Sequence, residues 1–467
     1  MAATLDRFAG QIIRPDDPDY DTARIVWNAM ADRRPALIAR CADVDDVVTA
    51  IRFAREKDLV VAVRGGGHSV AGFSTCDGGI IIDLSLMRGL TVDPERRVAR
   101  AEGGAHLSQL DKGAQEFGLA CPVGVVGHTG VAGLTLGGGM GRLQRKYGFT
   151  IDNLLAVDLV AADGRRLHAS DDENADLFWG IRGAGANFGV VTSFELRLSP
   201  VETNVTHGWI AFPIERSREV AALVREFLTA APDEAWLSIN FGIATDPPFR
   251  SEVAGMPVVM VSVTHSGSLD DAERDLRPLR EGMDPLMDTF APRRYVEVQG
   301  MNDEAMAWGK RFYMKGGFLA ELSDEAIAAC AAHAAAAPAG GECGASLWAQ
   351  GGAIARVPDD AMAFTGRTAA WWVGLEAAWE GAELDEPHKA WSRQGMAALT
   401  PFTTVGQYVN DAVDSDVGSV RAIYGNEKYD RLVRLKRAYD PDTLGPPIAA
   451  QAQARNCLAV PGALDTS

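Results

Sequence analysis

Three glycine-rich segments constrain this chain more than any other feature. Arg64-Gly65-Gly66-Gly67-His68-Ser69 follows the apolar run Leu59–Val63, and Thr129–Gly141 reads T-G-V-A-G-L-T-L-G-G-G-M-G. Arg182-Gly183-Ala184-Gly185-Ala186-Asn187-Phe188-Gly189 leads into the run Gly189–Leu198. Glycine loses the most backbone entropy on folding, so consecutive glycines persist where the chain turns through positive φ or approaches something closely. Successive free N–H groups in such a turn make a concave anion site that takes a phosphate without any lysine. Each segment alone is equally a tight turn between strands. Three of them, each beside an expected strand, point to a phosphate-bearing group. No G-x-G-x-x-G opens a helix after a strand and no G-x-x-x-x-G-K-[ST] occurs, which excludes the doubly wound dinucleotide fold and the P-loop. There is no G-x-S-x-G elbow and no H-E-x-x-H.

Around these segments the first 200 residues alternate between strand and helix patterns. Asp46–Lys57 is an expected amphipathic helix with Val47, Val48, Ile51, Phe53 and Ala54 between charges. Leu59–Val63, Gly79–Leu84, Leu154–Val160 and Gly189–Leu198 are expected strands. From about Val205 to Pro401 glycine thins out. Asp324–Ala336 and Pro387–Leu399 are expected helices, Trp371–Trp379 an expected half-buried strand, and Asp416–Lys436 a further helix. A chain of 467 residues is long for one domain.

The formal charge of −18 opposes binding to phosphate backbones and anionic lipid, so neither nucleic acid nor membrane is an expected partner. The six cysteines, Cys41, Cys76, Cys121, Cys330, Cys343 and Cys457, form no C-x-x-C pair, and no metal is expected. Met1–Asp16 holds no apolar leader core, and no run of about 18 apolar residues occurs. The default expectation is a cytoplasmic protein.

Val61-Ala62-Val63-Arg64-Gly65-Gly66-Gly67-His68-Ser69-Val70-Ala71-Gly72 resembles the FAD-attachment loop of the vanillyl-alcohol-oxidase superfamily, whose FAD-binding domain is of the p-cresol-methylhydroxylase (PCMH) type. More narrowly it is similar to the bacterial berberine-bridge-enzyme-like oxidases. The likeness continues through Thr129–Gly141, Arg145-Lys146-Tyr147-Gly148, Asp152-Asn153-Leu154, Asp176–Trp179, Asn187–Thr192, Tyr408-Val409-Asn410 and Tyr424–Pro441. It implies an α+β fold: a two-part FAD-binding domain over 1–203, a substrate domain over 204–403 with an antiparallel sheet backed by helices, and a C-terminal segment, 404–467, returning to the FAD domain. It implies FAD contacts from Arg64, Gly65, Gly66, Gly67, Ser69, Gly72, His128, Thr129, Gly130, Gly133, Gly137, Gly138, Gly139, Gly141, Asp152, Asn153, Gly189, Val191 and Asn410. It implies a covalent bond from His68 to the flavin 8α-methyl. Some relatives add a second bond from a cysteine, but with the triple glycines aligned on Gly137–Gly139 that position is Val126, five residues past Cys121. A single link is therefore expected.

The resemblance implies a flavin-linked oxidase that takes hydride from a small alcohol, sugar or natural-product intermediate and reduces O2 to H2O2. The alternatives are a dehydrogenase with another acceptor, a non-catalytic flavin-binding member, and a colourless nucleotide-binding module. For an alcohol, a base must take the hydroxyl proton. Tyr408 is the candidate, with Asn410 expected on the same strand face. Tyr313 and Lys315 are candidates to line the pocket, Arg367 and Glu376 weaker ones, and Trp371, Trp372, Trp379 and Trp391 are expected in the core. After Asp440-Pro441 the chain departs from the family's N-x-F-R-x-N-Q-N-I pattern, continuing Asp442-Thr443-Leu444-Gly445.

Overall fold

The computed structural model describes residues 5, 8–245, 249–404, 406–413 and 417–441. The altered tail after Pro441 and the expected helix start at Asp416 lie outside the described residues.

The helix Val44–Glu56 begins where the Asp43 carboxylate accepts from the Asp46 N–H at 3.0 Å. It buries Val47, Val48, Ala50, Ile51 and Ala54. That face packs on a four-stranded sheet of β1 (Gln11–Ile13), β2 (Leu37–Arg40), β3 (Val61–Arg64) and β4 (Ile80–Asp83), ordered β1-β2-β4-β3. β2, β4 and β3 run parallel. The first glycine cluster is thus the exit of β3 from a parallel edge.

A second, antiparallel sheet holds β5 (Leu90–Asp93), β6 (Val98–Glu102), β8 (Leu154–Ala161), β9 (Arg166–Ser170) and β10 (Gly189–Arg197), ordered β5-β6-β10-β8-β9. The short β7 (Leu119–Ala120) pairs with β11 (Ser199–Pro200). The C-terminal helix Val417–Tyr439, broken at Gly425, buries Leu432 and Leu435 in this sheet's core. Tyr424 Oη donates to the Gly183 carbonyl (3.0 Å) and Lys436 Nζ to that of Asn187 (2.8 Å).

The third sheet is antiparallel, built from β12 (Asn204–Pro213), β13 (Ala235–Ile243), β14 (Pro257–His265), β15 (Met287–Asp288), β16 (Ala291–Arg294), β17 (Arg311–Leu319), β18 (Gly341–Ala349) and β19 (Trp371–Trp379). Its order is β15-β12-β14-β13-β18-β19-β17, with β16 also on β12. The helices Ser217–Ala230, Asp324–Ala335 and Asp385–Leu399 back one face. Alternation sends Trp371, Val373, Leu375, Ala377 and Trp379 into that helical layer. The other face meets the first 200 residues, so β19 is buried on both sides rather than half-buried as its alternation suggested. Among the described residues no helix is long and apolar enough to cross a membrane, and no His/Cys/Asp/Glu group is arranged for a metal ion.

Candidate active site

A cavity of about 840 Å³ lies between the glycine clusters and the open face of the third sheet. One wall is bare backbone. A Cβ on Gly66 would sit 2.3 Å from the Gly130 nitrogen, and one on Gly130 would sit 2.4 Å from the Gly66 nitrogen. The first two glycine clusters therefore pack main chain against main chain, an approach that only glycine permits. Gly65, Gly66, Gly67 and Ser69 line the cavity from one side of that contact, and Thr129, Gly130 and Gly133 from the other.

His68 stands on this wall. Its ring stacks on Trp27 (centroids 4.1 Å apart, planes at 17°) and lies 5.0 Å from the His128 ring. Trp27 is pinned by its indole N–H, which donates to the Met306 carbonyl at 2.7 Å. Burial, with His128 adding, pushes the His68 pKa down to about 3, so the imidazole is neutral. Its Nε2 is buried without a hydrogen-bond partner. A buried polar nitrogen left unpaired carries an energetic cost that a bound group would relieve.

The opposite wall is made of side chains. Along the sheet, Trp236, Trp348 and Trp372 meet edge to face, with centroids 5.2 Å apart at 88° and 5.2 Å apart at 64°. Ser238, Asn240, Ser262 and Ser346 lie between and beside them. Glu376, on the cavity face of β19, has its pKa raised to about 7 by burial. Asp411 joins it in the cavity wall and accepts from Trp372 Nε1 at 2.8 Å. Burial, and secondarily the Glu376 charge, raise the Asp411 pKa well above the carboxylate range. Burial thus favours the protonated form of both carboxyl groups.

Residues 35–170 match the FAD binding domain family. Over 455 residues the chain is 36% identical to (R)-6-hydroxynicotine oxidase of Paenarthrobacter nicotinovorans, covering 94% of this chain and 96% of that protein. The crystal structure of 6-hydroxy-D-nicotine oxidase from Arthrobacter nicotinovorans superposes with a TM-score of 0.86 at 33% identity, covering 96% of this chain and 98% of the other. The chain is an FAD-linked oxidoreductase of the family that holds (R)-6-hydroxynicotine oxidase. The same fold is seen in BBE-like 1 of Physcomitrella patens (TM-score 0.84, 22% identity, 94% of this chain and 96% of the other). The residues fit the family's FAD: a backbone wall, an unpaired imidazole nitrogen and a cavity of cofactor size coincide.

The remaining residues expected to touch the family's cofactor stand behind this first layer. Arg64 is buried and donates to the carbonyls of Ala23, Arg24 and Ser74. Gly72 turns at φ +71 against Ala31. His128 supports His68 rather than lining the cavity, with Nε2 3.3 Å from the Asp303 carbonyl. Gly137 admits Asn410, whose Oδ1 would lie 2.1 Å from an added Cβ. Gly138 faces Phe364, Gly139 faces Thr150, and Gly141 faces the Val123 carbonyl. Asp152 pairs with the buried Arg367 guanidinium, Nη1 to Oδ2 at 3.1 Å, which removes Arg367 from the pocket candidates. Asn153 donates to the Tyr147 and Phe149 carbonyls (2.9 and 3.0 Å). Gly189 lets β10 approach the Val160 carbonyl, and Val191 is buried in the second sheet's core.

Tyr408 and Asn410 do line the cavity, but not from a strand. Tyr408 precedes a 3-10 turn, Val409–Asp411. Its hydroxyl accepts from the Gly139 N–H (3.0 Å) and from Asn410 Nδ2 (2.9 Å). Burial raises its pKa above that of an ordinary phenol, which disfavours Tyr408 in the role of the expected base. Because the turn is not a strand, Asp411 is not sent to the opposite face, and a period of two concealed it. Tyr313 and Lys315 share a strand, but Tyr313 belongs to the helix-backed core, its hydroxyl accepting from Arg393 at 3.0 Å; Phe312 and Met314 face the cavity instead. Trp371, Trp379 and Trp391 are core, whereas Trp372 is cavity wall. Cys121 is buried with its thiol pKa raised, while Val126 lies in the cavity wall. Trp27, Arg142 and His207 also line the cavity, and no sequence motif marked them.

Proposed function

We propose that this oxidoreductase is an oxidase that holds FAD through one covalent bond from His68, oxidises a small alcohol or amine, and reduces O2 to H2O2. The observation that carries this reading is the buried, unpaired Nε2 of a neutral His68 on a wall of backbone. When bound, FAD supplies a two-electron acceptor for hydride from carbon and a route for those electrons to O2. A neutral imidazole keeps the lone pair that bonding to the 8α-carbon requires, and Trp27 fixes the plane of the ring. Val126, at the second-link position, offers no thiol, which supports a single bond.

Glu376 takes the O–H or N–H proton as the substrate gives up hydride, leaving a carbonyl or imine. A carboxyl with a pKa near the working pH suits that task. Burial favours the protonated form of Asp411 beside it, and the Trp372 indole, donating to its Oδ2, fixes its position. Tyr408 offers a proton as a hydrogen-bond donor. The tryptophan row supports an amphipathic ring or sugar face.

The test is to reduce the purified protein with dithionite under nitrogen, remove the excess and admit air. The expected result is prompt return of the flavin band at about 450 nm with stoichiometric peroxide. Reduced flavin that persists in air and reoxidises only with a dye makes the protein a dehydrogenase, and a protein without flavin overturns the reading.

A further inference from the structure

Arg142 is the one cationic side chain described in the cavity wall. It lies in the turn after Gly141, is 5% exposed, and makes no ion pair among the described residues. Its Nη1 donates to the neutral Oε1 of Gln299 at 3.4 Å, and its Nε is buried without a partner. Gln299 links it to the buried Asp111, its Nε2 donating to Asp111 Oδ2 at 3.3 Å. Burial raises the Asp111 pKa to about 7, so this carboxyl is a weak counter-charge. Asp303 and Tyr295 also act on Arg142 through space; Asp303 is tied to the Gly127 N–H at 2.6 Å. His207, beside Arg142 in the cavity wall, accepts or donates at Thr264 Oγ1 (2.9 Å) and is neutral, its pKa driven to about 3 by burial and by Arg142.

A guanidinium buried with unspent donors and no paired anion is costly, and an anion delivered by a ligand relieves that cost. The position in the cavity matters as much. His207 is on β12 and Glu376 on β19, four strand intervals away in the order β12-β14-β13-β18-β19. At about 4.8 Å per interval that is roughly 19 Å. The cationic end and the carboxyl end are therefore opposite ends of one elongated cavity, and they do not neutralise one another.

We propose that Arg142 is an anion receptor that selects substrates carrying a carboxylate at the end remote from the oxidised carbon. The assignment of ends rests on Glu376 marking the reacting end, as in the function proposed above. Binding energy from such a remote group holds the reacting bond in place. Arg142 is a specificity residue in this account, and the guanidinium fork matches a carboxylate in two-point contact.

Calorimetric titration of the flavin-loaded protein with 4-phenylbutyrate and with its neutral amide, 4-phenylbutanamide, reads this directly. The acid is expected to bind wild type at least about tenfold more tightly than the amide, the preference to vanish in Arg142→Gln, and part of it to survive in Arg142→Lys. If Arg142→Gln does not fold, as judged by its melting transition, a weakened preference in Arg142→Lys carries the test. Equal affinity in wild type, no binding of the acid, or a preference that survives Arg142→Gln overturns the proposal. So does a wild type without preference whose Arg142→Gln variant shifts the resting flavin spectrum, since the guanidinium then serves the cofactor. A wild type that prefers the acid but stays reduced in air keeps Arg142 as the receptor and overturns the oxidase reading.

Discussion

The two walls of the cavity are built by opposite means. The wall from residues 65–69 and 129–133 is main chain, with glycines so close that a single methyl group would strike the backbone opposite. The wall from β12 to β19 is side chains on a regular sheet, where tryptophan, serine, methionine and one carboxylate share a face. A backbone wall serves one constant partner, because it tolerates almost no change. A side-chain wall can be rewritten residue by residue without moving a strand. In the function proposed above, cofactor binding and substrate choice divide accordingly.

The largest expected effect is on the side-chain wall and is chemical. Glu376→Gln should lower kcat by about 10²–10⁴-fold on any alcohol, amine or sugar that bleaches the flavin. Since burial raises the Glu376 pKa to about 7, the carboxylate form grows as pH rises, and wild-type activity should climb through about pH 7. That rising limb should be missing in the Gln variant. A variant with unchanged turnover would move the base elsewhere.

On the backbone wall a smaller chemical change should do structural damage. Gly66→Ala forces a methyl to 2.3 Å from the Gly130 nitrogen. It should cost about 1–3 kcal/mol in urea unfolding and lower the share of protein that takes up flavin. Tyr408→Phe leaves the Gly139 N–H and the Asn410 amide without their shared acceptor. It should cost about 1–2 kcal/mol, with most flavin retained. Ser346→Ala, on the sheet wall, removes one hydroxyl from the cavity and should change stability by less than about 0.5 kcal/mol, leaving flavin content unchanged. If Gly66→Ala were as mild as Ser346→Ala, the contrast between the walls would fail.

The same contrast explains what could be read from the sequence. Glycine runs are legible because few other demands produce them, so Gly65–Gly67 and Gly130 stood out with His68 at their end. Regular elements were legible where the period was clean: Val44–Glu56, Asp324–Ala335 and Trp371–Trp379 lie within two residues of expectation. Which face of β19 met the cavity was not legible, because both faces are buried and both are apolar enough to be core. Trp372 was therefore grouped with Trp371. Asp411 was hidden by a strand reading of what is a 3-10 turn, and Arg142 by its place in a turn beside the second glycine cluster. The Asp152–Arg367 pair spans 215 positions, and local pattern does not join residues that far apart.

In the proposed function His68 alone tethers the flavin. Wild type and His68→Ala should be precipitated with acid, washed, and read for absorbance at about 450 nm in pellet and supernatant. A yellow wild-type pellet is expected and, for His68→Ala, colour only in the supernatant. Wild-type colour that leaves with the supernatant, or a His68→Ala pellet that stays yellow, would contradict it.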